Sequence, residues 1–265
     1  MVRYLIALMS MDLCFDKEKA EGYKSPSQIA RVLTEDWATR NLFCPSCKQP
    51  RLQTARDNTK VIDFVCDHCS EIYQLKSQSR RLGDRILDSA YGPMIDSIKR
   101  NRTPNLFLLH YNSQSYYAEN LLIVPRYFLT LSCVEPRNPL SPNARRAGWV
   151  GCNILLKDIP IDGKIPIIKD RKVLNPETVR LNYDRFRFLS ERKFDVRGWT
   201  ADVLKFIREL GKKDFTLNEA YSFDRQLQLL HPDNKNVRPK IRQQLQILRD
   251  RGILEFIGGG KYRFR

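Results

Sequence analysis

The sequence predicts an α/β domain stapled by a four-cysteine metal site, followed by a small α+β domain with the element order of a winged helix. Three observations carry this expectation. Short apolar strands alternate with amphipathic helical stretches up to about residue 182, the mixture of an α/β core. Two Cys-x-x-Cys pairs fall between residues 44 and 69. The end of the chain reads as three helices and then a β-hairpin. With 265 residues there is chain for one large and one small domain, each with its own core. The division is expected near residue 190, giving domains of residues 1–190 and 191–265.

In chain order, Ser25-Pro26-Ser27-Gln28 reads as a helix start. Ser25 can cap, Pro26 suits the first helical position and Gln28 completes a capping box. Ile29, Leu33 and Trp37, with Val32 beside them, form the apolar stripe of that helix. Strands are expected at residues 61–65 and 72–76. Residues 82–100 carry Ile86, Ala90, Met94 and Ile98 at helical spacing, with a kink at Gly92-Pro93. Residues 106–111 and 121–124 read as buried strands, 132–149 as a proline-bearing loop, and 151–156 with 164–169 as a strand pair. Residues 183–197, dense in charge and aromatics, bridge to the second domain. There, a helix is expected over 200–210 with Thr200 as its cap, and a second from the capping box Thr216-Leu217-Asn218-Glu219. A third spans 237–251, with Ile241, Leu245 and Leu248 inward and Gly252 ending it. Residues 253–257 and 261–265, joined by Gly258-Gly259-Gly260, make the hairpin.

Charge narrows the function. Forty-six Lys and Arg against 30 Asp and Glu leave +16, which favours a polyanionic partner, nucleic acid ahead of an anionic membrane. The apolar stretch at residues 4–9 is too short to span a bilayer. Only Arg3 precedes it, and no clear small-residue cleavage site comes before Asp12 and Asp16. The expectation is a cytoplasmic protein without membrane attachment, and no protein partner is implied. In a reducing compartment, closely spaced cysteines point to metal rather than disulfides.

Cys44 and Cys47 form one pair and Cys66 and Cys69 the other, with 18 residues between them, the spacing of a four-cysteine zinc site. Four thiolates close a tetrahedron and leave no position for water, so the Zn²⁺ is expected to be structural. His68 lies inside the second pair and could replace a cysteine. Cys14, Cys133 and Cys152 lack such spacing and are expected to be buried small apolar residues.

Asp63 sits within the apolar run Val61-Ile62-Asp63-Phe64-Val65, where a carboxylate is costly unless paired or metal-bound. Gln74 and Lys76 follow and would share one face of the next strand. An acid and an amide oxygen can hold Mg²⁺, and a lysine can orient a water or steady developing charge, as phosphodiester hydrolysis requires. The other reading is a strand-edge Asp63 paired to a nearby cation, with Gln74 and Lys76 on a solvated face. Glu35 and Asp36 on the first helix are candidate extra ligands.

Two stretches could read DNA. Arg145, Arg146 and Trp149 share a loop; arginines hold phosphates or guanine edges, and a tryptophan can stack on or wedge between bases. Equally, Trp149 could be half-buried core. Arg238, Lys240, Arg242, Gln243, Gln246 and Arg249 lie off the apolar stripe of the third C-terminal helix, and Lys261, Arg263 and Arg265 lie on the hairpin. Arg and Gln read guanine and adenine edges in a major groove. A solvated face on a protein-binding winged helix is the other reading.

The stretches SPSQIARVLTEDW, FCPSCKQP, DFVCDHCSEIYQLKS, NARRAGWVGCNI and IRQQLQILRD followed by GKYR resemble the DpnI-like methyl-directed restriction endonucleases, from about Met11 onward. The resemblance implies a PD-(D/E)xK nuclease core with a zinc site and a C-terminal winged helix. It further implies Mg²⁺-dependent cleavage of double-stranded DNA at GATC sites carrying N6-methyladenine, read by both domains. By position, Asp63 matches the metal-binding aspartate, Lys76 the motif lysine, Trp149 the methyl-sensing tryptophan and the four cysteines the zinc ligands. Gln74 departs from the family's second acid and brings no charge to the cation. Residues 1–10 lie outside the resemblance, so Met11 is a second candidate start. The alternative function is a methyl-sensing DNA-binding regulator whose nuclease core no longer cuts.

Overall fold

The computed structural model describes residues 11–56 and 61–265; the apolar stretch at residues 4–9 lies outside them. The chain divides into two compact units that alternate along the sequence. One ends at Arg81 and takes in Leu106–Ile123 and Pro166–Leu181. The other comprises Leu82–Asn105, Val124–Ile165 and Asn182–Arg265. No helix among the described residues is long and apolar enough to cross a membrane.

The first unit is a helix and a mixed-order sheet. Helix α1, Pro26–Asn41, has Pro26 at its first turn and buries Leu33, Thr34, Trp37 and Ala38. Trp37 is fully buried and donates its indole N–H to the Asp12 carbonyl at 2.7 Å. The expected capping box does not form. The Ser25 hydroxyl is 2.9 Å from that of Ser27 and makes no cap bond. The seven strands are β1 (Gln53–Thr54), β2 (Phe64–Val65), β3 (Ile72–Gln78), β5 (Asn105–Asn112), β6 (Tyr117–Val124), β9 (Ile165–Lys169) and β10 (Lys172–Val173), paired in that order. Leu106, Phe107, Leu108 and Leu109 are all buried, so β5 is covered on both faces. The Tyr73 and Phe107 rings stack at 5.3 Å and tie β3 to it. Cys14 is exposed rather than buried, because it lies in an isolated bridge to Tyr117 outside the sheet's covered strands.

Three expectations fail in the second unit. Residues 82–100 are not one helix: β4 (Arg85–Ala90) precedes helix α2 (Tyr91–Lys99). Pro93 has no N–H to give and its ring would clash with a preceding turn, so it is accommodated only in the first turn of a helix that starts two residues before it. The strand pair expected at 151–156 and 164–169 is absent. Strand β8 (Gly151–Leu155) pairs with β4 and with β7 (Val134–Pro136), while β9 belongs to the other sheet. After α3 (Pro176–Arg185), helix α4 begins at Phe194, not at Thr200. Thr200 lies inside it and donates to the carbonyl of Val196 and to Gln244 Oε1, 2.7 Å away.

The C-terminal part is a winged helix. Its helices are α4 (Phe194–Glu209), α5 (Leu217–Tyr221), α6 (Asp224–Leu230) and α7 (Val237–Asp250). The expected second helix is therefore two short ones. The predicted capping box holds: Thr216 Oγ1 accepts from Glu219 N, and Glu219 accepts from Thr216 N. Strands β11 (Asp214–Thr216), β12 (Leu254–Gly258) and β13 (Lys261–Phe264) form a sheet with β13 central. Gly258, Gly259 and Gly260 all have positive φ, the backbone that makes this hairpin turn and that other residues resist. Within this unit α4 is anchored to α2. Arg197 is fully buried and donates to Ile98 O and Asn101 Oδ1 at the end of α2. Burial and the nearby Arg126 depress its pKa to about 10.

Candidate functional site

Strands β2 and β3 carry both groups of ligating residues. At one end the two Cys-x-x-Cys turns bring four sulfurs within 4.8 Å of one another. Cys44 and Cys69 are 3.6 Å apart, as are Cys47 and Cys66. Four thiolates at zinc–sulfur bonding distance stand roughly 3.8 Å apart, so these residues fit a tetrahedral Zn²⁺. The neighbours also suit thiolate ligands: the Tyr73 hydroxyl lies 3.1 Å from Cys44 Sγ, and the Gln49 N–H points at Cys47 Sγ. Burial works against the Cys66 thiolate, but the amides of Cys69 and His68 outweigh it and hold its pKa below the ordinary thiol value. His68 is exposed and outside the cluster. Arg180 of α3 donates to the Cys47 carbonyl at 2.8 Å and stacks over Phe43, bracing the knuckle. Nothing in the spacing of the cysteines announced Arg180 or Tyr73.

The second group is built on the other end of the strand pair. The β2–β3 ladder, Phe64 opposite Tyr73, continues through Asp63 N to Tyr73 O at 2.9 Å. Beyond that, the Asp63 side chain replaces the ladder: its Oδ2 accepts the Leu75 N–H at 2.7 Å. Gln74 and Lys76 flank Leu75 on the strand's opposite face. Gln74 is only 8% exposed, and its amide makes no hydrogen bond to the described residues. Burial raises the Asp63 pKa; the Leu75 amide opposes this, Glu35 adds to it, and Lys76 and Arg31 oppose it. Lys76 of β3 and Arg31 and Glu35 of helix α1 thus contribute to the charge around Asp63. The Thr34 hydroxyl meets that of Ser77 on β3 at 3.1 Å, and Arg31 and Glu35, one turn apart, are ion-paired at 2.7 Å. Asp36 points elsewhere and pairs with Arg40 at 2.9 Å. Chemically, the set is one fixed carboxylate, one glutamine amide with no hydrogen bond among the described residues and a lysine on the same strand, donors suited to a hard divalent cation.

In the second unit, the loop before β8 is closed by bonds between Leu140 and residues 148 and 149. Trp149 is half-buried, with the Arg146 guanidinium 4.8 Å over its ring, and Arg145 is exposed. A β-carbon at residue 151 would come within 2.8 Å of that ring, which explains Gly151. On α7 the buried stripe is Val237, Ile241, Gln244, Leu245 and Leu248. Arg242, Gln243 and Gln246 are exposed and, with Tyr221 and Pro239, line a shallow notch. Arg238 is exposed but paired to Asp224, and Lys240 is half-buried. On the wing, Lys261 is exposed, whereas Arg263 is held by both oxygens of Asp214 across the sheet and Arg265 faces Glu255.

Comparison with known protein families matches residues 11–192 to DpnI, the Dam-replacing family, and residues 195–264 to its C-terminal Dam-replacing helix-turn-helix domain. The chain belongs to the Dam-replacing (DpnI) family. This agrees with the α/β core, the zinc-competent cysteine cluster and the C-terminal winged helix found above. A Dam-replacing family member with a helix-turn-helix domain is a nuclease-class, DNA-binding protein.

Proposed function

We propose that this chain is a methyl-directed type II restriction endonuclease. In this reading it hydrolyses both strands of duplex GATC whose adenine carries an N6-methyl group, acting in the cytoplasm with Mg²⁺ for catalysis and Zn²⁺ for structure. The observation that carries the reading is the placement of the Asp63 carboxylate, pinned through one oxygen by the Leu75 N–H between Gln74 and Lys76. Pinning leaves the other oxygen, Oδ1, to face a cation with its direction fixed. Gln74 adds a neutral oxygen ligand that makes no competing hydrogen bond among the described residues. Mg²⁺ bound there would polarise the scissile phosphate and lower the pKa of an attacking water. Lys76 is the group that orients that water or steadies charge on the phosphate. Nothing in this chemistry needs a covalent bond to the protein.

Reading the site is assigned to the second unit: Arg145, Arg146 and Trp149 on one loop, and Arg238, Lys240, Arg242, Gln243 and Gln246 on α7, with Lys261 and Arg263 on the wing. The division into a nuclease segment to about residue 190 and a winged helix from about 191 is part of the same proposal. A second reading has a specific observation behind it: Gln74 is neutral, so cation affinity falls and the chain could bind methylated DNA without cutting it. One plasmid, prepared with and without adenine methylation and incubated with Mg²⁺, separates the two. Cutting of the methylated form alone supports the enzyme. Tight methyl-dependent binding with no cutting at any Mg²⁺ or Mn²⁺ concentration supports the regulator.

A further inference from the structure

The first unit holds a second group of polar side chains that the Asp63 chemistry does not use. Beyond Lys76, the Gln78 side-chain amide donates to the carbonyls of Arg80 and Arg81 at 3.0 and 3.1 Å and closes the turn that ends β3. That turn, the end of β5, the start of β6 and the β9–β10 turn enclose a polar cleft of about 560 Å³, with Ser79, Arg81, His110 and Asn112 in its lining. The acceptor atoms of His110, Asn112, Glu119 and Asn120 are all spent. Asn120 Oδ1 takes the Asp170 N–H at 2.9 Å, so the Asn120 amide nitrogen is what faces His110 Nδ1 at 3.1 Å. Nδ1 therefore accepts, and the proton of the neutral ring sits on Nε2. Asn112 Oδ1 takes the N–H groups of Gln114 and Ser115, both at 2.9 Å, which leaves its NH₂ as a donor. Both oxygens of Glu119 are held by Arg171. The donors, by contrast, are in reserve. His110 Nε2, Asn112 Nδ2 and the Arg81 guanidinium have no partner among the described residues. Of the two lining carboxylates, only that of Asp170 is likewise without a partner among them.

We propose that this cleft binds a backbone phosphate of DNA, with His110 Nε2 and the Asn112 amide as neutral donors and Arg81 as the cation. The inference rests on the reading of this chain as a DNA nuclease, and adds a DNA contact on the unit that carries Asp63. A phosphodiester presents oxygen acceptors and a negative charge, the complement of reserved donors beside a guanidinium. A base edge fits less well, because most bases present a donor as well as acceptors, and the fixed acceptors of the cleft are taken. The place also suits a backbone. Ser79 follows Lys76 by three residues, about 10 Å of extended strand, which matches the rise of about three phosphates along one DNA strand. A DNA strand with its reacting phosphate at Lys76 would bring another to the cleft. The relay from the Asp170 amide through Asn120 fixes the His110 donor before DNA arrives.

The test is binding of the zinc-loaded full chain to a labelled, adenine-methylated GATC duplex over a range of salt, without added divalent cation. Phosphates flanking the site are replaced one at a time by neutral methylphosphonates. Zinc content and melting temperature confirm that each variant is folded. Arg81 is exposed, so Arg81→Met keeps the test open if His110→Phe does not fold. Arg81→Met should weaken binding and lower the slope of log affinity against log salt by about 0.9, the share of one phosphate contact. His110→Phe should weaken binding by about tenfold, as loss of a hydrogen bond to a charged group does, with the slope unchanged because a neutral donor releases no counterion. Asp170→Asn should bind more tightly, because a competing charge is gone. In the native chain one flanking methylphosphonate should cost affinity, and the same one should cost nothing further in Arg81→Met or His110→Phe. Native affinity in both variants would overturn the inference. So would losses that are the same at every methylphosphonate position, the behaviour of a cleft that takes only a free anion. Weaker binding in Asp170→Asn would overturn it too, since the ligand would then be a donor. If the native chain binds no duplex at all, the nuclease reading falls and the inference with it.

Discussion

The two ends of the β2–β3 pair hold ligand sets of opposite character. The cysteine end is complete: four sulfurs at mutual distances that suit one tetrahedral ion, amide N–H groups and a tyrosine hydroxyl at the sulfurs, and an arginine bracing the knuckle. The Asp63 end is unfinished. It has one pinned carboxylate, an amide on a largely buried glutamine with no hydrogen-bond partner among the described residues, and a lysine on the same strand. A set whose donors are all satisfied by one ion has no room for a substrate and can only hold the fold. A set that keeps donors in reserve can accept an ion, a water and a phosphate together. The same few residues of backbone serve both, so the first set is what keeps the second in register.

That dependence gives the largest expected effect. Cys66→Ser removes one ligand from a buried cluster, and metal binding in such sites is folding free energy. The variant should lose stoichiometric zinc, melt well below the native chain and lose Asp63-dependent activity as well. A variant that melts as the native protein does would break the comparison at its stronger end. The converse change should be local. Asp63→Asn should abolish cutting yet leave zinc content, melting temperature and DNA affinity near native, since an amide can still accept the Leu75 N–H. If it unfolds the chain instead, Asp63 is a structural residue.

The same contrast, donors satisfied against donors in reserve, separates α7 from the wing. Arg242 and Gln246 have no partner among the described residues, whereas Arg263 is held by Asp214 and Arg265 faces Glu255. Arg242→Ala should therefore blunt discrimination between sites, and Lys261→Ala should weaken all sites alike and lower the salt dependence of binding by about one counterion. Arg263→Ala should do less, because its charge is already matched by Asp214. Equal losses for Arg242→Ala and Arg263→Ala would show that the wing pair opens on DNA.

How much of this was legible in the sequence depended on how far apart the partners lie. The cysteine cluster was legible because each pair is a local turn and thiolates at that spacing have few other uses. Asp63, Gln74 and Lys76 could be marked because strand alternation fixes which residues share a face. Whether Glu35 or Asp36 belonged with them could not, because that depends on how α1 docks on β3, through contacts such as Thr34 to Ser77 that no local pattern encodes. The misreading of residues 85–90 as helix has the same cause. Ile86 and Ala90 fit helical spacing, but pairing with β8, far along the chain, decides for a strand. Thr200 failed as a cap because the hydroxyl that suits a helix start is used here inside α4, against Gln244 of α7.

The smallest effect sits in a local pattern that the sequence did reveal, the Thr216–Glu219 capping box. Glu219 accepts from the Lys212 ammonium at 2.6 Å and from the Thr216 amide at 2.7 Å. Lys212 first, and the Thr216 amide and hydroxyl after it, depress its pKa from the ordinary 4.5 to about 2. A carboxylate with a depressed folded-state pKa stabilises fully above its unfolded value, and that contribution is lost as pH falls through the folded one. Glu219→Gln should therefore melt slightly below the native chain at neutral pH. The gap should then close as pH falls from 4.5 towards 2. Reading the two chains at matched pH cancels the titration of the cysteine cluster and of every other group they share. A gap that stays constant over that window would mean the cap acts through its hydrogen bonds alone and its charge contributes nothing.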